Sequence, residues 1–69
     1  MDIKESFGKK IAELRKKKGL SQEKLAFKAG IDRTYINSVE NGHRNISLLN
    51  LEKISKALGI SLSEMLKGI

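Results

Sequence analysis

"SQEKLAFKAGIDRTYINSVENG", residues 21 to 42, holds two short helical patterns divided by a single glycine. In the first pattern Ser21 stands where a cap is wanted, Leu25, Ala26 and Ala29 share one face, and Gly30 ends the run. In the second, Asp32 is the cap, Ile36 and Val39 form the buried side, and Asn41-Gly42 stops the helix. The few residues around Gly30 are too few for a relaxed antiparallel hairpin, but they suit a crossing near about 90 to 120°. Ala26 lets the helices approach closely and Gly30 supplies the turn, while Ile36 and Val39 lock one helix onto the other. The spacing therefore predicts a helix-turn-helix over about residues 22–41.

The flanking sequence repeats the same grammar. Ile3, Phe7, Ile11 and Leu14 fall four, four and three residues apart, one apolar stripe that closes at Gly19, with Leu20 as the contact beyond it. After "HRN" and Ile46, Ser47 caps a fourth helix whose inner face is Leu48, Leu51, Ile54 and Leu58, ended by Gly59. Ser61 and Glu64 form a capping box for a fifth helix, with Ile60 and Met65 placed as its hydrophobic staple. There is no proline and no alternating apolar pattern. The fold class expected is all-α: a compact five-helix bundle forming a single domain over residues 1–69.

Composition narrows the possible functions. A chain of 69 residues buries only about 60% of the surface that it exposes when unfolded, so its core is marginal and a partner is expected to help. Cysteine is absent, which removes disulfides and cysteine-ligated metal sites and suggests a reducing compartment. His43 is alone, and no serine lies in a nucleophile motif, so neither metal chemistry nor catalysis is expected. No cofactor and no small-molecule ligand is implied. No apolar run approaches the roughly 18 to 20 residues that cross a bilayer, and "MDIKESFGKK" lacks a signal peptide's apolar stretch. A cytoplasmic protein with no membrane partner is the expectation. The net charge of +6 and pI near 9.9 favour a polyanion, although charge alone also fits an ordinary solvated surface.

The segment 21–42, with helices on both sides of it, resembles the lambda-repressor-like helix-turn-helix family of Cro/XRE type. The likeness rests on Gln22, Ala26, Gly30, Ile36, Val39 and Asn41-Gly42 and extends over nearly the whole chain. More narrowly, "DRTYI" followed by "RNIS" is similar to the controller proteins of restriction-modification systems, a pattern shared with other regulators of the family. The resemblance implies a double-stranded-DNA-binding transcriptional regulator that is not an enzyme.

On that reading the leading residues of the third helix enter the major groove. Arg33 suits the O6 and N7 atoms of guanine, and Thr34 offers a hydroxyl and a methyl to thymine; Asn37 and Ser38, one turn on, are the second rank of base readers. The family pattern implies that Ser21 and Gln22 hold a phosphate at the start of helix two. Tyr35 can donate its hydroxyl to another, while Asn41, His43 and Arg44 can grip the next stretch of backbone. In controller-like relatives the arginine matching Arg44 also approaches bases, so its role stays open. Arg15 and Lys18, with Lys9, Lys10, Lys16 and Lys17, add attraction to phosphates. Structural alternatives exist for three of these features. Arg33 could pair with Asp32 or Asn37, Tyr35 could cover an apolar edge, and "RKKKG" could serve only the helix dipole.

A single unit contacts a short half-site, so a homodimer on a palindromic operator is expected. Leu49, about 100° from Leu48 around helix four, and Leu62, Met65, Leu66 and Ile69 of helix five are the expected dimer interface, unless they only close the monomer core. RNA polymerase is a further expected partner. A second reading remains open: an antitoxin-like or anti-regulator module that uses the same bundle to bind protein.

Overall fold

The computed structural model describes residues 2–69. Among them are five α-helices and no strand: α1 (Ile3–Lys17), α2 (Gln22–Ala29), α3 (Arg33–Glu40), α4 (Leu48–Leu58) and α5 (Leu62–Leu66). Every helix starts at a side-chain cap. Asp2, Ser21, Asp32, Ser47 and Ser61 each accept a hydrogen bond from a backbone N–H two or three residues on. Gly30 closes α2 at φ 69°, and Gly59 closes α4 at φ 70°, left-handed geometry that costs glycine nothing.

α2 and α3 are only eight residues long, below the roughly 12 to 15 at which an isolated helix holds in water, so both depend on packing. The packing comes from Phe7 and Ile11 of α1, Leu25, Ala26 and Ala29 of α2, and Ile36 and Val39 of α3. Leu51, Ile54, Leu58 and Met65 complete one continuous core. α3 lies against both α1 and α2, and α4 backs α2 and carries α5.

Three expected positions differ. Ile3 and Leu48 belong to the right stripes but are exposed, Leu48 at 81%. Each is the first residue of its helix, and helical side chains lean toward the N-terminus, past the end of the core. Met65, expected at a dimer interface, is fully buried as part of the core, against which Ile60 also packs. The staple geometry at the start of α5 overrides its role as a surface contact.

Gly8 and Gly42 perform a task that periodicity does not reveal. A Cβ on Gly8 would lie 2.3 Å from the carbonyl oxygen of Val39 and 2.7 Å from that of Glu40, so α1 runs in backbone contact with the end of α3. Just beyond, Gly42 has φ +74°, and a Cβ there would meet Glu5 Cγ at 2.9 Å. Gly8→Ala gains up to about 1 kcal/mol of helix propensity, yet it must push two helices apart, an overpacking cost of about 1–3 kcal/mol or more. The variant should unfold at lower urea concentration than the parent, and an equal or higher midpoint would show that α1 and α3 do not touch this closely.

Candidate nucleic-acid interface

With Ile36 and Val39 turned into the core, the opposite side of α3 faces outward, and its first turn carries Arg33 and Thr34, both exposed. Asp32 accepts from the Thr34 N–H at 2.9 Å and fixes the start of this turn. Gln22, Arg33, Thr34 and Asn37 line a recess of about 300 Å³. A neighbouring recess is lined by Arg15, Ser21, Gln22, Glu23 and Arg33. The two share Gln22 and Arg33, so the beginnings of α2 and α3 border one open polar groove. Among the described residues Arg33 makes no hydrogen bond or ion pair; the pairings with Asp32 and Asn37 weighed from the sequence do not form.

Behind the groove runs a chain of polar contacts. Arg15 Nε donates to Glu40 Oε2 at 2.6 Å and Arg15 Nη2 to Oε1 at 3.0 Å, with side-chain exposures of only 12% and 6% for the pair. Arg15 Nη1 also donates to the Leu20 carbonyl at 2.8 Å. The hydrogen bond to Glu40, aided by the opposite charge, raises the guanidinium pKa above its usual value against the opposing effect of burial. Arg15 therefore spends three of its five N–H donors within the protein, while its side chain also lines the recess shared with Ser21 and Gln22. Gln22 Nε2 donates to Glu40 Oε1 at 3.0 Å, Asn37 Nδ2 to Gln22 Oε1 at 3.2 Å, and Asn41 Nδ2 to Asn37 Oδ1 at 3.1 Å. Asn41 Nδ2 also reaches the Asn37 carbonyl oxygen at 3.0 Å. Asn37 is exposed at the groove but tethered on both sides, and Ser38 is half-buried, its carbonyl accepting from the His43 N–H at 2.9 Å.

The remaining expected contacts divide by position. Ser21 caps α2, its hydroxyl accepting from the Lys24 N–H at 3.0 Å. Tyr35 is half-buried against the core, and the Arg44 guanidinium carbon sits 4.7 Å from its ring centroid, so Tyr35 covers an apolar edge and holds Arg44 by a cation–π contact. His43 is exposed in the segment that leaves α3. Lys18 is not with this group: it lines a separate recess with Lys28 and Lys56, where the C-terminal ends of α1, α2 and α4 meet. Leu49, Leu62, Leu66 and Ile69 are exposed on α4, α5 and the end of the chain, joined by Leu48. Phe27, at 86% the most exposed large apolar side chain described, went unremarked in the sequence. It lies about 200° around the α2 axis from Leu25, opposite the buried arc, and a helical wheel would have found it.

A short helix that presents polar residues beside a groove, clamped through a glycine turn to a second helix, defines a helix-turn-helix DNA-binding protein. The helix-turn-helix family profile matches residues 11–65, and the chain belongs to this family of Cro/XRE-type transcription regulators, which act by binding DNA and not by catalysis. It is similar to Control protein C.MunI of Mycoplasma sp, 58% identical over 69 residues that are 99% of this chain and 93% of that protein. Control protein C.BamHI of Bacillus amyloliquefaciens is 50% identical over 94% of this chain and 82% of its own length. Among solved structures, the restriction-modification controller protein C.AhdI of Aeromonas hydrophila superimposes with a TM-score of 0.88 at 50% identity, covering 90% of this chain and 94% of that one. A SinR protein/SinI protein complex also matches, with a TM-score of 0.84 at 38% identity over 90% of this chain and 61% of that one.

The stack of Arg44 on Tyr35 has a measurable coupling. A double-mutant cycle with Arg44→Ala and Tyr35→Leu, read by thermal unfolding without DNA, should give about 0.5–1 kcal/mol. Strict additivity would mean that the loop leaves Arg44 free in solution.

Proposed function

We propose that this chain is a homodimeric, sequence-specific double-stranded-DNA-binding transcriptional regulator, a controller protein of a restriction-modification system, that acts by occupying a palindromic operator. The observation that carries the reading is Arg33: exposed at the lip of the groove, without a partner among the described residues, on a helix whose opposite side is locked into the core. The relatives named as control proteins match this chain over nearly its whole length, which supports the controller role. In this role Arg33 pairs with guanine, Thr34 meets a neighbouring base, and Asn37 and Ser38 contribute at shorter reach. Ser21 and Gln22, at the positive end of α2, position a phosphate. Tyr35, Asn41, His43 and Arg44 hold the backbone beyond α3, and Lys18 attracts from a distance. RNA polymerase is the proposed partner once the operator is filled.

The proposed second half-site is read by a second copy of the chain, joined through Leu48 and Leu49 of α4 and Leu62, Leu66 and Ile69 at α5. These are large apolar side chains left exposed on two helices that pack on each other and, for Ile69, just beyond the second of them. A protein-binding role on the same scaffold draws support from the relative solved as a SinR protein/SinI protein complex. Retention of a protein partner after nuclease treatment favours that second reading.

Arg33→Ala should lower the ratio of specific to non-specific affinity by roughly fivefold or more, whereas Lys17→Ala should weaken all duplexes alike. An unchanged ratio for Arg33→Ala on the selected operator would remove Arg33 from base reading. For the parent, with about six to ten phosphate contacts per dimer, affinity should fall about a thousandfold or more between 50 and 200 mM salt. Leu66→Glu places a charge on the proposed interface while leaving the buried Met65 in place. It should shift the chain toward monomer in sedimentation at unchanged helicity, and a persistent dimer would relocate the interface.

A further inference from the structure

We propose that Glu40, which lies behind the groove, fixes which way round the amides of Gln22 and Asn37 present their donors and acceptors to DNA. The inference deepens the reading of α3 as the base-reading element and rests on it. A carboxylate only accepts hydrogen bonds, whereas the two ends of an amide differ: one donates twice and the other accepts. Glu40 Oε1 therefore takes Gln22 by its Nε2, at 3.0 Å. That choice turns Gln22 Oε1 toward Asn37, where it accepts from Nδ2 at 3.2 Å. Asn37 Oδ1 is left to accept from Asn41 Nδ2 at 3.1 Å.

Each orientation follows from the one before it, starting from a group that has no alternative. Arg15 keeps the starting point fixed, because its fork occupies both carboxylate oxygens of Glu40 from the other side. What remains for a ligand in the recess bounded by Gln22, Asn37, Arg33 and Thr34 is a defined set: one N–H of each amide and one lone pair of each carbonyl. Glu40 is a positioning residue. It touches no base, yet it decides whether Asn37 meets a base edge with its donor or its acceptor forward.

Glu40→Gln tests this because it retains the shape and adds a donor. The new amide opposes Arg15 on either side. The placement that sets its NH2 at the longer 3.0 Å contact with Nη2, and not at the 2.6 Å contact with Nε, also sets it against Gln22 Nε2, and relief of that conflict turns Gln22 round and Asn37 after it. Arg15→Lys is the comparison: it weakens the same buried pair but leaves the carboxylate facing Gln22. The full chain and each variant would select from a random duplex pool. Side-chain amide resonances of Gln22 and Asn37 would be recorded in the free proteins.

Glu40→Gln should keep the base pair assigned to Arg33 and change or flatten the neighbouring preference by on the order of tenfold, with both amide resonances displaced. Arg15→Lys should unfold at lower temperature yet select the parent motif. Should Glu40→Gln not fold, Gln22→Met cuts the same relay at its middle and should alter the same base pair. The parent motif selected by the Glu40→Gln or Gln22→Met variant, or an equal change of preference in Arg15→Lys, overturns the proposal. Should the parent itself select nothing, base reading by α3 fails as well. The amide resonances then decide the relay by themselves: displaced in Glu40→Gln and still in Arg15→Lys, they uphold it, and any other pattern overturns it.

Discussion

The contact on which the rest depends is the one between the backbone of α1 at Gly8 and the carbonyls that end α3. Gly8, Ile11 and Arg15 are spaced so that all three fall on one side of α1, since seven residues are nearly two full turns. The missing side chain at Gly8 lets the helices meet, and Ile11 fills the core beside the meeting point. Two turns on from Gly8, Arg15 reaches the carboxylate of Glu40. One strip of α1 thus fixes the distance, packing and rotation of α3. The groove inherits its geometry from this strip, because α3 is too short to be stable alone and takes its orientation from whatever it packs on.

The Arg15–Glu40 pair is better understood as a device for registry than as a source of stability. Withdrawing two charges from water costs several kcal/mol per ion, and attraction within the protein roughly repays it only when the remaining donors and acceptors are satisfied. Here they are: the guanidinium also serves the Leu20 carbonyl, the carboxylate also takes Gln22, and no buried side-chain polar atom among the described residues lacks a partner. An apolar pair of the same volume could hold α1 to α3 as firmly. It could not join α1, α2 and α3 through one set of directional bonds.

Much of this was legible in the sequence because it is local. A capping serine or aspartate, an apolar stripe and a closing glycine each act within a few residues, and Ser21, Asp32, Ser47, Ser61, Gly30 and Gly59 all sit where those rules put them. The groove residues Arg33 and Thr34 were legible for the same reason, since the buried side of α3 dictates its outer side. The features that the sequence does not show are set by long-range partners or by helix ends. Arg15 looks like one more member of a basic run until Glu40, 25 residues away, comes beside it. Gly8 looks like a defect in a helix until the end of α3 is seen against it. Leu48 and Ile3 satisfy the period but occupy first turns, where the period no longer says what lies opposite.

This separation of local and long-range information bears on how such a small regulator could change its preferred DNA in the proposed role. Exposed lysines attract a polyanion through interactions that fade over a Debye length of about 8 Å at physiological salt. They can be rearranged on the surface with little effect on which sequence is bound. Arg33 and Thr34 can be exchanged singly, because their side chains leave the packed face of α3 untouched. Gln22 and Asn37 lack that freedom: Gln22 gives its Nε2 inward to Glu40 and takes Asn37 on its Oε1, and Asn37 is held at both ends of its amide, by Gln22 and by the Nδ2 of Asn41. Replacing Gln22 leaves the part-buried Glu40 carboxylate short of one donor, where lost pairing costs most, whereas at the exposed Asn37 and Asn41 water takes over the freed groups and what is lost is orientation. In a 69-residue fold with little stability to spare, new specificity is therefore reached most readily through the first turn of α3, with the relay behind it held constant.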